Sequence, residues 1–408
     1  MISRKKWVLA ILLLITILFL NVFSLTPLAI IISYLTLAVS TIGHFVFLLE
    51  SKKIPKPVKT WYFIGLLLMC ISIFTSYIHY GQSFVSGFIA NINFYHVGSV
   101  IVFYYLFLKH RITFPSLFSI LSKAGWLLLI LIVIMAITKF AFINESELTG
   151  KLVIVSAGKV SKEFINLLAV FWFSKFLFKN NYKYLLYTIL FFAGNHFEKI
   201  QRFAFVVTIL TIGVGLLKNR NKLSNLKFIL PVVFAIPFVG IYFNYSIENS
   251  DIIDRFIEAS KIFTSEADDI NDISAAIRIS ETEFAIEHFK LHPLFGNGFY
   301  RSSESDKVIG EDTYFYPSDV GIFGVLYNLG ILGLVVFFGQ IILLWKYLKI
   351  KYTNPYQFGS VLGLLFIITT SFLTGSTINT YQIFFFYVCL LSLSNVTILN
   401  ATKHYGKI

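Results

Sequence analysis

Val320–Trp345 reads VGIFGVLYNLGILGLVVFFGQIILLW, twenty-six residues without a charged side chain. As a helix the stretch would be roughly 39 Å long, enough to cross the ~30 Å hydrocarbon layer of a bilayer. Comparable apolar runs begin near Trp7, Pro27, Trp61, Asn93, Ala124, Phe164, Tyr184, Phe203, Leu226, Tyr356 and Ser376, which makes twelve in all. Composition agrees: 57% of the 408 residues are hydrophobic, 13% are charged and the mean hydropathy is +0.76. A soluble domain carries about 25% charged residues. The fold class expected is therefore an all-α polytopic membrane protein of about twelve transmembrane helices. Arg4, Lys5 and Lys6 before Trp7 have the charge of a signal peptide. No small-x-small cleavage site follows and a second apolar run comes at once, so this stretch reads as the first span. Cys70 and Cys389 lie in separate apolar runs and offer no disulfide framework or metal-ligand spacing.

The formal charge of +13 matters less than its distribution. With the N-terminus inside, the inner segments 1–6, 50–60, 109–123, 179–183, 218–227, 346–352 and the tail from Asn400 hold 21 basic residues and one acid, Glu50. The outer segments hold 11 basic and 20 acidic residues. That bias predicts both termini in the cytoplasm, and it makes the bilayer, not nucleic acid, the partner of the positive charge. The chain then divides into helices over 1–243, an outer loop over 244–319 and helices over 320–408. A loop this long reads as a folded functional element. Within it, Asp251–Lys261 reads as an amphipathic helix, Glu266, Asp268, Asp269 and Asp272 as a solvated acidic patch, and Ser274–Leu291 as a longer helix stopped by His292-Pro293. Gly296-Asn297-Gly298 then reads as a turn that needs positive φ or close backbone approach.

Three features place chemistry on the outer side. Arg202 follows the polar turn Asn195–Gln201 at the mouth of a span, where the positive-inside bias makes plain snorkelling a weaker explanation. Arg278 sits early in the loop helix, with Glu281 and Thr282 one turn on as partners of an ordinary solvated residue. The third is His292-Pro293-Leu294-Phe295-Gly296-Asn297-Gly298-Phe299-Tyr300. On a continuous helix Arg278 and His292 lie roughly 21 Å apart and cannot touch one small group, so His292 fits a role in shaping the turn. His79, His96 and Lys139, near outer ends of spans, read as packed or interfacial residues. No Asp-x-Asp metal–nucleotide motif lies on the inner side, which disfavours a nucleotide-sugar transferase.

The order of these features resembles the O-antigen polymerase and ligase superfamily over roughly residues 185–345: an arginine at an outer helix mouth, an arginine in a loop helix, then H-P-L-F-G-N-G and the span Leu326–Leu334. The resemblance implies a GT-C-like fold in which a helical periplasmic loop caps a lateral cavity in the outer leaflet. It also implies metal- and cofactor-independent glycosyl transfer from undecaprenyl diphosphate in the bacterial inner membrane. Carried onto this sequence, Arg202 and Arg278 match the family's two arginines and Pro293, Gly296 and Gly298 its Pro-x-x-Gly-x-Gly segment. Ligase-like members place a His just before the span that follows the loop. Here that stretch reads Tyr316-Pro317-Ser318-Asp319-Val320, so Asp319 becomes the candidate base, with His292 and His196 behind it. His196, Lys199, Gly296, Gly298, Tyr300 and Arg301 are the expected substrate contacts. The reading that follows is a repeat-unit polymerase acting on undecaprenyl-diphosphate-linked oligosaccharides, with a chain-length regulator as a possible partner. The alternatives are a ligase of the same chemistry and, from another class, a polysaccharide flippase.

Overall fold

The computed structural model describes residues 4–20, 29–138, 142–145, 152–155, 162–196, 202–218, 273–301, 315–317, 320–374 and 381–405. The helices are α1 (Arg4–Phe19), α2 (Ala29–Glu50), α3 (Lys56–Tyr80), α4 (Phe84–Ala90), α5 (Ile92–Tyr95), α6 (Val97–Lys109), α7 (Phe114–Thr138), α8 (Lys162–Lys179), α9 (Tyr182–His196), α10 (Arg202–Lys218), α11 (Ile273–Leu291), α12 (Ile322–Leu348), α13 (Pro355–Thr374) and α14 (Tyr381–Tyr405). Among the described residues, six stretches are long and apolar enough to cross a membrane: Ile31–Lys53, Lys56–Tyr80, Ile92–Lys109, Phe114–Ile134, Ile322–Leu348 and Pro355–Phe372. Tyr182–Ala193 and Tyr381–Leu393 are shorter apolar helices. Helices thus overlie the expected runs except the one from Leu226, which lies outside the described residues, as do the Asp251–Lys261 helix and the acidic patch.

The helical reading takes one addition. Strands β1 (Phe142–Glu145) and β2 (Leu152–Val155) pair antiparallel, Phe142 opposite Val155, in a connection read from sequence as a plain loop. The helix expected from Ala124 also starts ten residues earlier, at Phe114. The Thr113 carbonyl accepts from the Leu117 N–H at 3.0 Å, which starts the helix ladder there, and the Thr113 hydroxyl pairs with that of Ser116 at 2.9 Å. Arg111, with φ of 49°, closes α6 from the other side, and the Ile112 N–H returns to the Phe107 carbonyl.

The centre is α14. Every residue from Tyr381 to Leu393 is buried, which a helix apolar on all sides requires. It packs against α13, α6 and α3, while α13 also meets α8, α10 and α12. The Tyr381 hydroxyl satisfies itself by donating to the Trp61 carbonyl on α3 at 2.6 Å. Phe63, Leu67, Phe74 and Ile78 of α3 and Leu127, Ile130 and Ile134 of α7 face outward, an apolar surface of the kind a bilayer covers.

Candidate functional site

The segment after α11 does not sit on top of the bundle; it enters α12. Inside α12, Gly330 has φ 60° and ψ −152°, a conformation open in practice to glycine alone. The break costs the helix its ladder there, because the Ile331 and Leu332 N–H groups lose the Tyr327 and Asn328 carbonyls. Buried away from water, each unmatched group would cost several kcal/mol. The loop supplies all four replacements. Pro293 and Leu294 carbonyls accept from Ile331 N–H at 2.8 Å and Leu332 N–H at 3.2 Å. In return the Asn297 and Gly298 N–H groups donate to the Tyr327 carbonyl at 2.7 Å and the Asn328 carbonyl at 2.9 Å. The Asn297 amide adds bonds to the Tyr327 and His288 carbonyls.

This approach of backbone to backbone explains the glycines. A Cβ on Gly296 (φ 67°) would stand 2.5 Å from the Leu329 nitrogen, and one on Gly330 2.6 Å from the Pro293 oxygen. Gly298 (φ 79°) faces α3 instead, where a Cβ would meet the Ser72 carbonyl at 2.4 Å. From there the chain runs extended along α3. Ser72 Oγ accepts from the Phe299 N–H at 2.8 Å, and Gln82, 2% exposed, brackets residue 300. Its Nε2 donates to the Phe299 carbonyl at 3.0 Å and its Oε1 accepts from the Arg301 N–H at 2.8 Å.

A second cluster lies along α11. The Glu281 carboxylate is 2% exposed, and its Oε1 accepts from the Tyr316 N–H at 2.8 Å. The connection entering α12 is therefore pinned one helical turn from Arg278. Tyr300 turns inward between these parts, its hydroxyl donating to the Phe315 carbonyl at 2.9 Å. Burial pushes its phenol above the ordinary tyrosine pKa, and nearby Tyr80, Tyr316 and Glu281 push the same way. The Tyr80 and Tyr327 hydroxyls pair at 2.8 Å below it.

Residues 200–338 match the O-antigen ligase family, Wzy_C. The match covers about a third of the chain and takes in Arg202, α11, the inserted loop and the break in α12. It agrees with the resemblance to the O-antigen polymerase and ligase superfamily, and it points to a glycosyltransferase-like enzyme of polysaccharide assembly. No curated protein gives a significant match.

Within the Wzy_C segment the structure unites some of the expected site residues and parts others. Gly296, Gly298, Tyr300 and Arg301 form one continuous element with α3 and α12. Gly296 and Gly298 are buried against backbone, and Tyr300 is half-buried with its hydroxyl turned to the Phe315 carbonyl. His292 ends α11, and its ring stacks on that of His79 with centroids 3.5 Å apart. The unbroken α11 keeps it the expected ~21 Å from Arg278, so it serves a different part of the surface. Arg202 opens α10 and His196 closes α9, both as backbone positions. Lys199 and Asp319 lie outside the described residues. Glu281, read from sequence as a possible partner of an ordinary solvated Arg278, is buried, because residues 315–317 fold over it. Gln82 and Ser72 carry no sequence signal: Ser72 reads as one more polar residue in a span and Gln82 as part of the short connection after α3.

Beside His79 and His292 a cavity of about 760 Å³ opens sideways, lined by Cys70, Phe74, Ile78, Leu294 and Phe295 among others. Phe74, Ile78, Leu294 and Phe295 are all exposed, so the cavity is a groove in the lateral surface and not an internal void.

Proposed function

We propose that the protein is a repeat-unit polymerase that joins oligosaccharides carried on polyprenyl diphosphate at the outer face of the membrane. The observation that carries this is the fixed position of Arg278 relative to the chain leading into α12, set by the Glu281–Tyr316 bond inside the segment that matches the family. In the reaction the acceptor sugar's hydroxyl oxygen forms a bond to C1 of the donor's reducing sugar. The bond from C1 to the diphosphate oxygen breaks, and the hydroxyl proton passes to a base. Negative charge grows on the departing diphosphate, where a guanidinium with paired donors stabilises it most. Arg278 fills that role, with Arg202 as the second cation. Asp319, three residues beyond the pinned Tyr316, acts as the base. Glu281 is a positioning residue, because its carboxylate is occupied in holding the backbone.

The test is the lipid-linked glycan profile of a deletion strain complemented with wild type or with Arg278→Ala. Wild type restores long chains, while Arg278→Ala at normal expression leaves single repeat units on the lipid. Long chains in the variant would falsify the arginine's role. The description of the matching family favours a second reading, a ligase. That reading expects the deletion strain to accumulate full-length polymer still attached to the carrier lipid.

A further inference from the structure

From the lateral groove we infer a second lipid site, one that holds the acceptor's polyprenyl chain with its phosphate at the His79–His292 pair. The inference rests on the polymerase reading, in which two lipid-linked substrates meet. The groove is apolar along its length, from Cys70 to Ile78 on one wall and Leu294 to Phe295 on the other. Its polar end is the stacked pair of imidazoles, and among the described residues neither ring has a hydrogen-bond partner, so their N–H groups are available to phosphate oxygens. An apolar trough ending in two unused donors matches an isoprenoid chain with a phosphate head. One wall is also firm: the carbonyls of Pro293 and Leu294 are committed to α12 and Gly296 is wedged against it.

Distance decides which substrate lies there. Arg278, assigned to the donor's diphosphate, is ~21 Å from His292 along α11. The acceptor reacts through its non-reducing end, so its own phosphate must stand back from the reacting carbon by the length of one repeat unit. An oligosaccharide of several sugars fills that interval. A single site at the arginines would leave the acceptor's diphosphate nowhere to go.

The experiment uses the purified full chain in phosphatidylcholine nanodiscs with a photoreactive heptaprenyl diphosphate, mapping crosslinked peptides by mass spectrometry. Labelling should fall on residues 70–79 and 292–296 and be displaced by unlabelled polyprenyl diphosphate. An equal amount of phosphatidylglycerol should leave it intact. His79→Ala combined with His292→Ala should weaken the labelling by at least about tenfold, since both hydrogen bonds to the charged phosphate are lost. Arg278→Ala should leave labelling of the groove unchanged. Three results would overturn the inference: label spread over all lipid-facing helices, equal displacement by phosphatidylglycerol, or loss of groove labelling in Arg278→Ala, which would make the groove the donor's own site. Failure of the polymerase reading shows separately, as full-length polymer still on the carrier lipid in the deletion strain, whatever the crosslinks say.

Discussion

At the scale of single residues, the site is held by side chains that imitate backbone. Gln82 offers a donor and an acceptor to the two sides of residue 300, as a neighbouring strand would. Gln82→Leu keeps the volume and removes both, leaving two buried backbone groups unmatched at about 1–3 kcal/mol each. Thermal unfolding in detergent should show the loss as a markedly lower midpoint. Glu281 separates acceptor from charge. In Glu281→Gln the amide oxygen still accepts from the Tyr316 N–H, so polymer length should stay near normal, whereas Glu281→Ala should shorten chains at unchanged expression. Equal damage in both would mean the carboxylate's charge takes part in the chemistry. Neither residue was legible in the sequence. Gln82 is more than two hundred positions from the backbone it serves, and Glu281 reads as a partner of Arg278 because three-residue spacing shows it beside Arg278 but not beneath residues 315–317.

At the scale of elements, the break in α12 and the loop before it form one structure. The sequence showed half of it: His292-Pro293 as a helix stop and Gly296-Asn297-Gly298 as a turn of close approach are both as expected. Gly330 gave no warning, because it is one of five glycines in those twenty-six uncharged residues and nothing local sets it apart from the others. Its role depends on the partner carbonyls of Pro293 and Leu294, which no local pattern encodes. Gly330→Ala forces a side chain into a glycine-only conformation, worth about 1–3 kcal/mol, and against the Pro293 oxygen besides. The same change at Gly339, where a Cβ meets only the rim of Trp61 at 3.4 Å, should be tolerated, and comparing melting curves of the two checks the assignment. Elsewhere Lys175 on α8 lies 4.6 to 5.9 Å from the ring centroids of Trp172, Phe118, Tyr184 and Tyr356, tying together α7, α8, α9 and α13. Lys175→Met retains the length and loses the cation. A cost of about 1–2 kcal/mol is expected, seen as a lower melting midpoint.

For the whole molecule, apolar runs told which segments are helices because burial and lipid ask for the same side chains. They could not tell which helix would be central: α14 differs little in composition from its neighbours, yet its stretch Tyr381–Leu393 is enclosed on every side. The same ambiguity covers α12. Its second part, Ile331–Leu348, is about 27 Å long by itself, close to the ~30 Å hydrocarbon thickness. With that part spanning the layer, the part before Gly330 would stand at headgroup depth and carry the inserted loop with it. On the proposed function, hydrophobic mismatch would then set turnover. A bilayer of longer acyl chains would draw that outer part into hydrocarbon, while a thinner one would lift the loop into water. Turnover measured in nanodiscs of graded acyl length should therefore pass through a maximum, set by where one glycine interrupts one helix.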